Sequence, residues 1–154
     1  MIGRSFPVRV LQKVASVDDV SADLSLLLRA EIIREVRRYP ELECTFRHGL
    51  LQEAALSTLT QNRRRVLYGE VAKVYEELFA DSVEERLELL AFYYYRSNEP
   101  EKALEYLWKA AGKAFELHAN AHAEELLNRS KKVATKLGDK GAERMIDERL
   151  AQLG

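Results

Sequence analysis

Few side chains in this chain have the type and spacing to do chemistry. His48 closes the short alternating segment Leu42-Glu43-Cys44-Thr45-Phe46-Arg47 and stands directly before Gly49 and an apolar helical run. An imidazole there lies beside the free backbone N–H groups of a helix start, a place that favours an anion. The same position suits a histidine that caps the helix or packs on the hairpin, so both readings stay open. Glu53 follows five residues on. No second carboxylate is spaced with it for acid–base work, and a helix-start charge or ion pair accounts for it. Gly112-Lys113 superficially matches a phosphate loop, yet Leu107 stands at the first glycine's place and Ala114 at that of the Mg²⁺-binding hydroxyl. His118 and His122 are four apart, with a turn at Asn120 between them and no third ligand in view. Cys44 is the one cysteine, which excludes an internal disulfide, and its place on the hairpin's apolar face predicts an inert buried thiol. No catalytic constellation is complete, so the chain reads as non-catalytic, with no metal site.

Two further groups could bind rather than react. Arg63-Arg64-Arg65 sits in a helical run, and Arg34, Arg37 and Arg38 lie among Glu31, Glu35, Glu41 and Glu43. Net charge is −1; residues 1–79 carry twelve Lys/Arg against eleven Asp/Glu, and residues 80–154 twelve against fourteen. Neither half has the basic excess that phosphate-backbone binding needs, so nucleic acid is not an expected partner. Phe92-Tyr93-Tyr94-Tyr95 and Trp108 form the aromatic group. Helical spacing puts Tyr94 in the core; Tyr93 and Tyr95, with Trp108, either pack along the core and groove or offer a surface to a protein partner.

The elements that must hold these residues are mostly helical. A hydrophobic content of 47% supports a core, while seven glycines and three prolines leave little for long loops. Pro7, with Ser5 as cap, predicts a helix start, and Val8, Leu11, Val14 and Ala15 its stripe. Asp18 or Ser21 caps a second helix with Val20, Leu24, Leu27 and Leu28 on one face. Ile32 to Val36 and Leu42 to Arg47 read as two strands around Tyr39-Pro40-Glu41. At His48-Gly49 the period changes from two to 3.6: Leu50, Leu51, Ala54, Ala55 and Leu59 repeat at helical spacing, an inward stripe. Thr60 or Asn62 then caps a long helix to about Phe79, with Val66, Leu67, Val71, Val74, Tyr75 and Leu78 inward.

From Asp81 or Ser82 the pattern is helix, short turn, helix. Leu87, Leu90, Ala91 and Tyr94 face inward, then Ala103, Leu107, Ala110, Ala114 and Leu117, then Ala123, Leu126, Leu127, Val133, Ala134 and Leu137. A last helix runs from about Gly141 to Leu153. The fold class is mainly α, in two parts. Residues 1–79 form a winged-helix-like unit with one β-hairpin and no leading helix, followed by the connecting helix. Residues 80–154 form a short tetratricopeptide-like α-solenoid, since Leu90, Ala91, Tyr94, Ala103, Leu107 and Ala110 match that repeat's large and small positions in order. Without a leading helix, the face of Val8, Leu11 and Leu24 is expected to be partly uncovered and open to self-association or a partner.

Phe46-x-His48-x-Leu50-x-x-Glu53, then Leu59, Arg64-Arg65, Leu67 and Val71-Ala72, then Asn98-Glu-Pro-Glu-Lys-Ala103-Leu104 together resemble a known family. It is the segment that follows the nucleotide-binding domain in bacterial STAND-type signalling ATPases, the large kind carrying a class III adenylate/guanylate cyclase domain. The opening Ile2-Gly3-Arg4-Ser5-Phe6 is also similar to it. The resemblance implies a cytoplasmic signal-transduction protein in which an upstream P-loop domain binds ATP or ADP. The winged helix packs on that domain, and helical repeats receive a partner or continue into further repeats. In related switches a histidine at this strand-to-helix junction meets the β-phosphate of ADP, and His48 is the matching residue, followed here by Gly49 where many relatives have Asp. The expected mechanism is rigid-body docking through the long helix near residues 62–79. A freestanding protein–protein scaffold is the first rival. A DNA-binding winged-helix regulator is the second, although its second helix, Asp18 to Arg29, would carry Arg29 as its only cation. No apolar run reaches the roughly 18 residues of a membrane span.

Overall fold

The structure, a computed structural model, describes residues 5–154, so Ile2, Gly3 and Arg4 lie outside the described residues. These form eight α-helices, one 3-10 segment and a three-stranded antiparallel sheet, a mainly helical fold with a β-hairpin. The chain divides into two units at Leu78/Phe79.

The first unit runs β1 (Ser5–Pro7), α1 (Val8–Ala15), α2 (Ser21–Arg29), β2 (Ile33–Arg37), β3 (Glu43–Phe46), α3 (Gly49–Ser57) and α4 (Gln61–Leu78). Helix α1 does open at Pro7, its N-cap residue, but Ser5 belongs to strand β1 and does not cap it as expected. Ser5, Phe6 and Pro7 pair with Thr45, Cys44 and Glu43, which puts β3 at the centre of the sheet in the order β1-β3-β2. Proline lacks the N–H that an inner ladder needs, and an edge strand tolerates that. The backbone N–H of Val8 then donates to the Leu42 carbonyl at 2.9 Å, tying the start of α1 to the hairpin. Helix α2 follows Asp19, whose Oδ1 accepts from the Ser21 N–H at 2.7 Å. The hairpin register shifts between Glu35 and Arg37, a bulge that turns Val36 to solvent.

Val8, Val20, Leu24, Ile33 and Cys44 are buried together, with Phe6, Leu11, Leu27, Leu28, Ile32, Leu42 and Phe46 packed around them. The face of Val8, Leu11 and Leu24, expected to be open, is therefore part of this core, because the sheet covers it. The uncovered element is α3. It buries no residue; Leu50 is 77% exposed, and Ala54 and Ala55 face solvent. The inward stripe read for this helix is corrected: α1, α2 and the sheet already fill the core that it would have joined. On α4, Thr60 Oγ1 accepts from the Arg63 N–H at 3.2 Å as an N-cap. Its buried residues are Gly69, Ala72 and Tyr75, while Val66, expected inward, is exposed.

The second unit begins with a 3-10 segment, Ala80–Arg86, and continues with α5 (Leu87–Tyr95), α6 (Pro100–Glu116), α7 (Asn120–Leu137) and α8 (Lys140–Leu153), each packed on the next. Arg86 binds the opening turn together: Nη1 donates to Ser82 Oγ at 2.7 Å, and the guanidinium lies 4.0 Å from the Phe79 ring centre. Pro100 fits the first turn of α6. Gly138 ends α7 at φ +70°, a left-handed conformation that glycine adopts without strain. Asp139 Oδ1 caps α8 by accepting from the Ala142 N–H at 2.9 Å.

The inward series on α5, α6 and α7 is buried from Leu87 to Ala134, joined by Tyr106, Ala111, Ser130 and Ile146. Tyr94 stacks on Tyr106 at 5.4 Å between ring centres. Ser130 is fully buried and satisfied, its Oγ donating to the Leu126 carbonyl at 3.0 Å. Leu117 departs from the series at 70% exposed, because α6 ends at Glu116 and the chain reverses at His118, where φ is +57°. Leu127→Ala removes a fully buried side chain and should cost about 2–5 kcal/mol, whereas Leu117→Ala should stay within about 0.5 kcal/mol. Urea unfolding of both variants checks the contrast.

Candidate functional site

The end of β3 turns into α3 at His48, whose φ −131° and ψ +137° are the extended geometry of an N-cap residue. Its carbonyl accepts from the Leu51 N–H at 3.1 Å, but its imidazole makes no capping hydrogen bond and is exposed. The ring is thus neither a cap nor a core residue, and it stands beside a helix that has buried nothing. Glu53 is exposed on the same helix.

Two arginines of the hairpin, Arg37 and Arg38, are paired, as are Arg9 and Arg47 beside it. Arg37 donates to Glu43 at 2.8 Å, Arg38 meets both oxygens of Glu35, Arg47 meets Glu31 at 2.8 Å, and Arg9 lies 3.5 Å from Glu41. On α4, Arg63 reaches Glu70 at 3.7 Å, and Arg64 Nε donates to the Leu59 carbonyl at 3.3 Å. Gly112-Lys113 falls in the middle of α6, and Lys113 Nζ donates to the Glu84 carbonyl at 2.7 Å. That is a helix-interior position, not a loop whose amides could cradle a phosphate.

The three aromatic residues read as a partner surface are half-buried, and the fold separates them. Tyr93 meets Phe92 edge-to-face at 5.4 Å, Tyr95 has Arg129 of α7 over its ring at 5.8 Å, and Trp108 has Arg149 of α8 at 6.0 Å. They form no common cage. Trp108 instead joins a groove of about 300 Å³ with Leu104, Ala142, Met145 and Ile146, edged by Glu101 and Glu105. Sequence reasoning missed all of these except Trp108. The available signal was a pair of i, i+3, i+4, i+7 stripes: Glu101, Leu104, Glu105 and Trp108 on α6, and Ala142, Met145, Ile146 and Arg149 on α8.

His122 bridges α7 to α5, its Nε2 3.1 Å from Glu88, with Glu125 at 4.0 Å from Nδ1. His118 is in the turn before α7 and not on its face. Among the described residues no group of three or more His, Cys, Asp and Glu is arranged to hold a metal ion, and no helix is long and apolar enough to cross a membrane. Compared with protein families, with curated proteins and with solved structures, the chain matches none.

Cys44 is fully buried in the sheet. Burial pushes its thiol up from the ordinary range, and the carboxylates of Glu35 and Glu43 add to the push. A raised folded-state value means that the stability tied to this proton is full below the ordinary thiol range and is lost as pH climbs through the raised one. Dithionitrobenzoate at pH 8 should label the native chain at least about tenfold more slowly than the urea-unfolded chain. Labelling at the free-thiol rate would show that the core opens.

Proposed function

We propose that this chain is a non-catalytic regulatory and interaction segment of a cytoplasmic, multidomain signalling ATPase of the STAND type, the kind linked to a class III nucleotide cyclase. Its first unit packs on an upstream nucleotide-binding domain, and its helical repeats engage a protein partner or further repeats. The observation that carries this reading is His48: an exposed imidazole at a strand-to-helix junction, with no capping bond, ahead of a helix that buries none of its residues. An imidazole N–H there adds a directed donor to the free N–H groups of α3, and together they suit the β-phosphate of ADP held by the neighbouring domain. The apolar surface of α3 gives that domain something to cover. The second reading is a freestanding protein–protein scaffold, favoured by the groove between α6 and α8, which needs no nucleotide.

Calorimetry on the full-length gene product separates the two. His48→Ala should weaken ADP binding by about 1–3 kcal/mol, the worth of a charge-assisted hydrogen bond, and affect ATP less. Equal ADP affinity in wild type and variant would overturn the nucleotide arm and leave the scaffold.

A further inference from the structure

The groove between α6 and α8 has a floor without charge and a rim whose charges are unevenly matched. Leu104, Trp108, Ala142, Met145 and Ile146 make the floor. On the α6 rim, Glu105 is held by Lys109 at 2.7 Å and Lys102 at 3.6 Å, and the Lys109 hydrogen bond keeps its carboxyl below the usual range. Glu101, one turn earlier, has no ion-pair partner among the described residues. On the α8 side, Arg149 is spread over the faces of Trp108 and Phe115, at 6.0 Å and 4.8 Å. A visitor to the groove therefore meets apolar side chains, the Arg149 guanidinium lying over aromatic faces, and, in the first turn of α6, one carboxylate without an ion-pair partner among the described residues.

We infer that this groove binds an amphipathic helix of a partner protein, with large apolar residues at i, i+3 or i+4, and i+7, and a lysine or arginine beside them that pairs with Glu101. This rests on the reading of the repeats as a partner-binding surface, and it names the face and the kind of partner. A slot between two helices takes side chains at helical spacing, and this unit has no sheet edge that an extended peptide could join. A second copy is the poorer occupant, because two concave faces cannot fill one another. The groove's volume, about 300 Å³, leaves room for a few anchoring side chains.

Trp108 is the only tryptophan in the chain, so its emission reports on the groove directly. Two helical peptides serve as probes: one with leucines at i, i+4 and i+7 flanked by lysine, the other with glutamate replacing the lysine. The lysine peptide should shift Trp108 emission to the blue in a saturable way and bind at least about fivefold tighter than the glutamate peptide at low salt. Met145→Gln, a neutral change at a residue already 54% exposed, should weaken binding about tenfold. Glu101→Gln should erase the lysine-over-glutamate preference, and circular dichroism melts check that both variants keep the fold. No shift with either peptide overturns the inference, as does equal binding of the two, or a blue shift that grows with chain concentration alone, which assigns the groove to a second copy. Binding unmoved by Met145→Gln also overturns it while leaving partner binding elsewhere on the repeats intact, and none of these outcomes touches the ADP response of His48→Ala.

Discussion

The second unit depends on the small residues buried along α6 and α7. Ala103, Ala110, Ala111 and Ala114 on one helix and Ala123, Ser130 and Ala134 on the other are at most 3% exposed. Side chains this small allow helix axes to approach toward the lower end of the usual 8–10 Å, and Leu107, Leu127 and Tyr94 then fill what space remains. Any larger residue at these positions would have to push the helices apart, since a close-packed interior has no spare volume to absorb it. These positions also decide what is left outside. Large apolar side chains that they cannot admit, Leu104 and Trp108 on α6 and Met145 on α8, line the groove instead.

The first unit solves the same problem with a sheet. Strand β3 is central, so Cys44 is enclosed by neighbours on both edges, and α1 and α2 close one face of the sheet through Val8, Val20 and Leu24. That core is complete without α3. A helix as apolar as Gly49–Ser57 gains from burial at roughly 25 cal/mol per Å², yet its own unit offers it no face to bury against. Such an element either remains wet or is covered by something other than this unit.

Most of the second unit was legible in the sequence, because Pro100, Gly138 and Asp139 punctuate helices whose apolar period is regular. The first unit was legible as two helices and a hairpin. Its third strand was not, because a three-residue strand carries no period and Pro7 reads equally as a helix start. Helix α3 was read as amphipathic from the helical spacing of its apolar residues, yet it buries none of them: spacing shows that apolar residues recur, not that a partner exists for them. Leu117 misled for a related reason, since the helix stops before it and the turn at His118 sends it outward. The groove escaped notice because its residues belong to two helices, and a single chain pattern does not say which stripes will be brought to one side of α7.

What remains on the surface indicates how this molecule recognises others. Arg37 and Arg38 of the hairpin are matched by Glu43 and Glu35, and Arg9 and Arg47 beside it by Glu41 and Glu31. Exposed pairs of this kind add little stability, about 0–1 kcal/mol each, but they cancel the field that would draw a phosphate backbone toward the wing. Recognition then has to come from the apolar surfaces, α3 in one unit and the α6–α8 groove in the other. A groove of this size holds only a few anchors, and association must first offset several kcal/mol of lost freedom, so the contact inferred for it is a weak and reversible one. If the chain is the regulatory segment proposed above, reversible contact is what that role requires, since a partner held too tightly could not answer a change of state.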